Sequence, residues 1–185
     1  MRKFALYGSP GAGKSTLGGL LAQQFQGLGT PVTVVKVGAP LYELQAVVYA
    51  MAGRPMLAGG RQDGQLLNTL GGHMRRINPG ALTDAFASRV AQAEREMPQA
   101  VLICDDLRAP DVGAVTALGF DLVQVCAPDE LRRARKGGRG DLSPGAEDHP
   151  TEAPVTAVPR WRVDNDGTLQ ELATCAAKLV LEAGL

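Results

Sequence analysis

Aromatic residues make up only 4% of this 185-residue sequence, and it holds no more than three cysteines and two histidines. So few aromatics argue against a surface that stacks the bases of a nucleic-acid strand. A formal net charge of zero argues equally against a surface that tracks a polyanionic backbone or an acidic membrane. No apolar run approaches the roughly 18 residues needed to span a bilayer. Cys104, Cys126 and Cys175 are far apart and form no Cys-x-x-Cys pair, so neither a zinc site nor a disulfide framework is expected. They read as thiols of a protein in the reducing cytoplasm. The opening Met1-Arg2-Lys3-Phe4-Ala5-Leu6-Tyr7 starts with charge like a signal peptide. It meets a glycine turn too soon to form a signal core, and reads instead as a first strand. What is present is ordinary for a soluble globular chain: 45% hydrophobic and 21% charged residues, in a length that suits one domain over 1–185.

Short β-rich runs alternate with longer helical ones. The expected strands are Lys3–Tyr7, Val32–Val37, Ala100–Cys104 and Leu122–Cys126, with a weaker one at Arg160–Val163. They are apolar on both faces, as strands covered on both sides should be. Helices are expected over Lys14–Gln26, Leu41–Ala52, Asp63–Arg76, Thr83–Glu96, Val112–Leu118 and Leu169–Glu182, several of them stopped by Gly or Pro. Repeated strand–helix–strand order with right-handed crossovers predicts an α/β, three-layer, doubly wound fold: a parallel sheet of about five strands with helices on both faces. The stretch Ala127–Pro159, rich in Arg, Gly and Pro, is too long for a plain connection and reads as a functional loop.

The turn Gly8-Ser9-Pro10-Gly11-Ala12-Gly13-Lys14-Ser15 satisfies the P-loop spacing between an apolar strand and a helix. Glycines let successive backbone N–H groups point inward at phosphate oxygens, and the helix brings its positive end to the same place. Gly8, Gly11, Ala12 and Gly13 would form the cradle of ATP or GTP. Lys14 would reach the β- and γ-phosphates, Ser15 would ligate Mg²⁺, and Thr16 is placed for a further phosphate contact. No Asn-Lys-x-Asp or Thr-Lys-x-Asp motif for reading guanine is present. Strand Val101–Cys104 runs into Asp105-Asp106; one of these carboxylates, Asp106 first and Asp105 second, would organise the metal. The basic run Arg132-Arg133-Ala134-Arg135-Lys136-Gly137-Gly138-Arg139 would supply mobile guanidiniums, Arg132 and Arg135 among them, to the transferring phosphoryl group. His73 and His149 are not needed as bases, because phosphoryl transfer relies on positioning and charge; His149 is expected to tie the loop down.

The whole chain resembles the bacteriophage-type deoxynucleoside monophosphate kinases. Besides the P-loop, four segments carry the likeness in the same order: Leu66-Leu67-Asn68-Thr69-Leu70-Gly71 with the following Arg75-Arg76; Asp106-Leu107-Arg108; Asp148-His149-Pro150-Thr151-Glu152; and Asn165-Asp166-Gly167-Thr168-Leu169. The resemblance implies ATP- and Mg²⁺-dependent transfer to a (deoxy)nucleoside monophosphate, giving the diphosphate and ADP. It implies an acceptor-binding helical region over about 38–97 and a lid over about 127–159. On that reading Arg75 or Arg76, with Arg108, would grip the acceptor phosphate as planar bidentate donors, and Asn165 and Gly167 would pack against adenine. Where relatives tend to have Ala-x-Pro-Leu-Lys, this chain has Gly38-Ala39-Pro40-Leu41 followed by Tyr42, with Lys36 at a different offset; Lys36 and Tyr42 are expected on the acceptor side. Where relatives carry a Glu after Asp-Val-Arg, this chain has Ala109-Pro110-Asp111. Two other readings stay open: the same donor machinery acting on another small molecule, and a nucleotide-dependent switch. Association into a homo-oligomer is also left open.

Overall fold

The computed structural model describes residues 1–56, 61–138, 140–145, 151 and 153–184. Arg139, His149 and most of the Asp148–Glu152 segment therefore lie outside the described residues. Five strands form: β1 (Lys3–Tyr7), β2 (Val32–Val34), β3 (Val101–Cys104), β4 (Asp121–Cys126) and β5 (Trp161–Asp164). They pair in parallel in the order β2-β3-β1-β4-β5. Parallel pairs need crossover connections. These are built from α1 (Lys14–Gly27), α2 (Ala39–Met51), α3 (Gly64–Ile77), α4 (Ala81–Glu96), α5 (Val112–Ala117) and α6 (Asp129–Gly138), while α7 (Leu169–Glu182) follows β5. Among the described residues no helix is long and apolar enough to cross a membrane.

Strand periodicity divides the core between the two sides of the sheet. Phe4 and Leu6 of β1 join Ile103 of β3 in packing on Leu17, Leu21 and Phe25 of α1 and Leu172 and Ala176 of α7. Ala5 and Tyr7 join Leu102 and Cys104 in packing on Leu82, Phe86 and Val90 of α4 and Val115 of α5. Each large side chain fully withdrawn from water contributes roughly 1.5–3 kcal/mol, so the sandwich holds β1 rigidly at its centre. The turn that leaves β1 inherits that rigidity.

The structure departs from the sequence expectations in two instructive places. β2 ends at Val34, although an apolar pattern runs on to Val37. The Val35 N–H still reaches Ile103 O, but the N–H groups of Val37 and Gly38 turn to the Asp106 carboxylate, each at 2.9 Å. A side chain thus replaces the ladder and steers the chain into α2. The second departure corrects the reading of 127–159 as a long loop: its basic run is the helix α6. No residue of α6 is buried, so the hydrophobic period that betrays most helices is absent. The signals that do mark it are Asp129 and Glu130 in the first turn and Arg135 and Lys136 in the last, a distribution that complements the helix dipole.

Candidate active site

The turn between β1 and α1 has the shape its spacing predicts. Gly8, Gly11 and Gly13 take φ of 145°, 83° and 100°. Gly13 shows why glycine is required: a Cβ there would stand 2.2 Å from Asn165 Nδ2, in a backbone region disfavoured for other residues. Gly13 also starts α1 with no side-chain cap, leaving the first-turn amides to an anion in the way helix N-termini accept phosphate. Lys14 is buried, and its ammonium curls into the loop, donating to Gly8 O at 2.7 Å and Ser9 O at 3.3 Å. Ser15 and Thr16 are exposed at the helix start. The uncapped start of α1, a lysine inside the loop and an exposed hydroxyl make a donor set that fits a magnesium-bound polyphosphate.

The two carboxylates after β3 point to opposite sides of the sheet. Asp105 continues the Val101–Ile103 alternation and packs on α1, where a Cβ on Gly18 would lie 3.4 Å from its own Cβ. It is buried, and Lys36 Nζ sits 3.0 Å from Oδ1 and 3.3 Å from Oδ2. The nearer contact lacks hydrogen-bond alignment, so Oδ1 is a buried oxygen with no hydrogen bond. Asp106 faces the other way. Both its oxygens are taken by the Val37 and Gly38 amides, and burial pushes its carboxyl up, against the pull of those two bonds. Cys104 beside it is held well above the ordinary thiol range by burial.

A cleft opens beside the loop, lined by Pro10, Val37 and Gly38, by Leu41 and Tyr42 of α2, by Asn68, Gly71 and Arg75 of α3, and by Asp106 and Arg108. Gln62, Gly64, Lys136, Asp141, Ser143 and Gly145 close its outer side. Arg108 also lines a second pocket, against Gly8 and Ser9, so it stands where the cleft meets the glycine loop. Of the pair Arg75 and Arg76 only the first lines the cleft; Arg76 is exposed on another face of α3, as the 100° step between neighbours requires. Arg75 in turn meets buried Asp111, with Nη2 at 3.0 and 2.9 Å from the two carboxylate oxygens. Tyr42 lies on the cleft wall, and Lys36 approaches its ring at 5.9 Å.

The other residues singled out in the sequence surround the loop. Arg132 Nη1 donates to Pro10 O at 3.2 Å and Nη2 pairs with Asp129 at 2.6 Å. Here α6 lies so close that a Cβ on Gly11 would be 2.6 Å from the Arg132 carbonyl oxygen. Arg135 Nη1 donates to Asn165 O at 3.0 Å. Asn165 is buried and donates through Nδ2 to Ala12 O at 2.8 Å, while its own N–H reaches Cys126 O at 2.7 Å. Its side chain therefore bears on the back of the phosphate loop. Gly167 is exposed in the turn before α7, whose start is capped by Thr168 and Glu171 in reciprocal bonds.

Sequence reasoning passed over Asp111, Asp141 and Ser143 as site residues, and placed Lys136 only within the basic run. Asp111 could have been found, since the kinases that the sequence resembles tend to carry an acid near that point; Asp141 and Ser143 show no local pattern and come together only through the fold. No protein-family model and no curated protein matches the sequence. Solved structures with a similar fold include the APS kinase of Mycobacterium tuberculosis bound to AMPPNP and APS, at 14% identity and a TM-score of 0.55 over 97% of each chain. The shikimate kinase of Acinetobacter baumannii bound to shikimate is similar at 14% identity and a TM-score of 0.55, over 100% of this chain and 96% of that one. A sugar kinase from Janibacter sp. is similar at 16% identity and a TM-score of 0.51, over 98% and 93%. At these identities the likeness establishes the three-layer α/β fold that these kinases share.

Proposed function

We propose that this protein is a cytoplasmic P-loop kinase that transfers the γ-phosphoryl group of ATP to a (deoxy)nucleoside monophosphate. The observation that carries this reading is the position of Arg108, which lines both the cleft and the pocket against Gly8 and Ser9. A guanidinium at that junction can hold an acceptor phosphate oxygen against the phosphate loop, offsetting the repulsion between two polyanions. The bond from the γ-phosphorus to the bridging oxygen breaks, a bond to the acceptor oxygen forms, and ADP leaves with the bridging electrons.

Each residue has a role on this account. Gly8, Gly11, Gly13 and Thr16 would present amides to the phosphates, Ala12 shapes the loop between them by donating its N–H to Ser9 O at 3.1 Å, and Lys14 swings from the Gly8 carbonyl to the transferring group. Ser15 and a carboxylate hold Mg²⁺, which supplies charge neutralisation when bound. Between the two acids we favour Asp105, since it faces α1 and its Oδ1 meets the Lys36 ammonium at 3.0 Å without an aligned hydrogen bond, whereas Asp106 has both oxygens occupied by amides. Arg132 and Arg135, anchored on the loop and on Asn165, flank the donor phosphates.

A second reading, the same donor site serving a non-nucleotide small molecule, draws support from the Arg75–Asp111 pair. That pair neutralises one cation of the cleft, as a less highly charged acceptor would require. A coupled ADP-release assay over nucleoside monophosphates and over hydroxyl or phosphate metabolites separates the two. Acceptor-dependent ADP formation with a nucleoside monophosphate is expected, and Lys14→Ala should abolish it. Stimulation by a metabolite alone would leave only the second reading. Full activity in the Lys14 variant would refute both.

A further inference from the structure

Several elements converge on one carboxylate at the rim of the cleft. Asp63 is the N-cap of α3 and accepts the Leu66 N–H at 3.0 Å. A cap needs no more than that, yet Asp63 also accepts the Tyr49 hydroxyl of α2 at 2.7 Å and the Ser143 hydroxyl. Ser143 lies 80 residues away and accepts the Gln65 N–H at 3.0 Å in return. The backbone joins in: Gly64 N–H donates to Ser143 O at 3.0 Å and Leu142 N–H to Gln62 O at 2.9 Å, making a short parallel bridge. Beneath it, buried Gln45 accepts the Asp63 N–H at 2.8 Å. The two segments touch so closely that a Cβ on Gly64 would stand 2.2 Å from the Gly145 nitrogen.

Gln62, Gly64, Ser143 and Gly145 all line the cleft; Asp63 does not. We propose that Asp63 is a positioning residue for the phosphate acceptor: by clasping Ser143 it holds the strap 142–145 onto α3 as the outer wall of the cleft. Resting on the kinase reading above, this assigns acceptor affinity to a group that touches neither substrate. The Ser143 bond, outweighing the opposing effect of burial, also holds the Asp63 carboxyl below its usual range, consistent with a carboxylate committed to accepting.

Two variants separate the clasp from the cap. Asp63→Asn keeps a good N-cap but leaves a neutral amide oxygen in place of the charged Oδ1 that the Leu66 N–H and the Ser143 hydroxyl share, and an amide nitrogen that cannot accept from Tyr49 in place of Oδ2. Gly64→Ala improves helix propensity while driving the strap outward by steric contact. In the full-length protein, amide hydrogen exchange at Leu142 should accelerate roughly tenfold or more in both variants, the loss of about one charge-assisted hydrogen bond. The KM for the acceptor should rise by a similar factor, with the KM for ATP unchanged. Unaltered exchange at Leu142, or a parallel rise in both KM values, would overturn the proposal. Were the wild-type protein to phosphorylate no acceptor, the kinase reading would fall while the exchange comparison still decided the clasp.

Discussion

Removing the Asn165 carboxamide tests how the phosphate loop keeps its shape. Asn165 is 6% exposed, and its Nδ2 donates to the carbonyl of Ala12, itself 1% exposed, at 2.8 Å. Asn165→Ala strips a buried carbonyl of that donor, a loss of roughly 1–3 kcal/mol. For a domain of this size each kcal/mol moves the melting midpoint by about 2–4 °C, so a mid-range loss of about 2 kcal/mol lowers it by roughly 4–8 °C. The assay is a thermal melt without nucleotide, paired with calorimetry of Mg-ATP binding. Asn165→Asp is the sharper variant: nearly isosteric, it sets a carboxylate oxygen against the Ala12 carbonyl, offset only in part by Arg135, whose Nη2 lies 3.5 Å from Oδ1. Both variants should melt early in the absence of nucleotide and bind ATP less well, because the loop amides lose their alignment. If Asn165 instead served adenine alone, as the family resemblance implies, affinity would fall and the nucleotide-free melt would stay put. A midpoint within about 1 °C of wild type would refute the anchoring argument.

The two acids after β3 should respond differently to amidation. Asp105→Asn should cut Mg-dependent turnover by roughly a hundredfold with little change in the melt, whereas Asp106→Asn should destabilise by about 1–3 kcal/mol, because an amide cannot accept both the Val37 and Gly38 N–H groups. The reverse pattern would make Asp106 the metal-side acid. The clasp should also carry a pH signature. With its folded pKa lowered, Asp63 contributes stability that is complete above the ordinary carboxylate range and is lost as pH falls through the folded value. The melting gap between wild type and Asp63→Asn should therefore be level from about pH 8 to 5 and begin to narrow below about pH 4. Closure above pH 5, or a gap that widens as the pH falls below about 4, would contradict the assignment.

The cleft was the harder part to read. The phosphate loop was legible because its demands are local: glycines with positive φ, a lysine and a hydroxyl at fixed spacing, an apolar strand before and a helix after. The strands of the sheet and six of its helices were legible for the same reason, since burial on both faces or on one face writes a period into the chain. α6 was missed because it buries nothing. The Arg75–Asp111 pair and the clasp of Asp63 on Ser143 join residues 36 and 80 positions apart, and no pattern of neighbours encodes such meetings.

Spacing and periodicity alone predicted an α/β sheet with a glycine-rich turn of phosphate-loop spacing after its first strand. Folding decided the rest: which side of the sheet Asp105 and Asp106 each leave from, that Asn165 braces Ala12, and where the cleft ends. Those outcomes depend on which side of a strand or helix a residue leaves from and on what packs there. Hydrogen bonds reach only about 3 Å, so they form where the core brings groups together, whatever their distance along the chain.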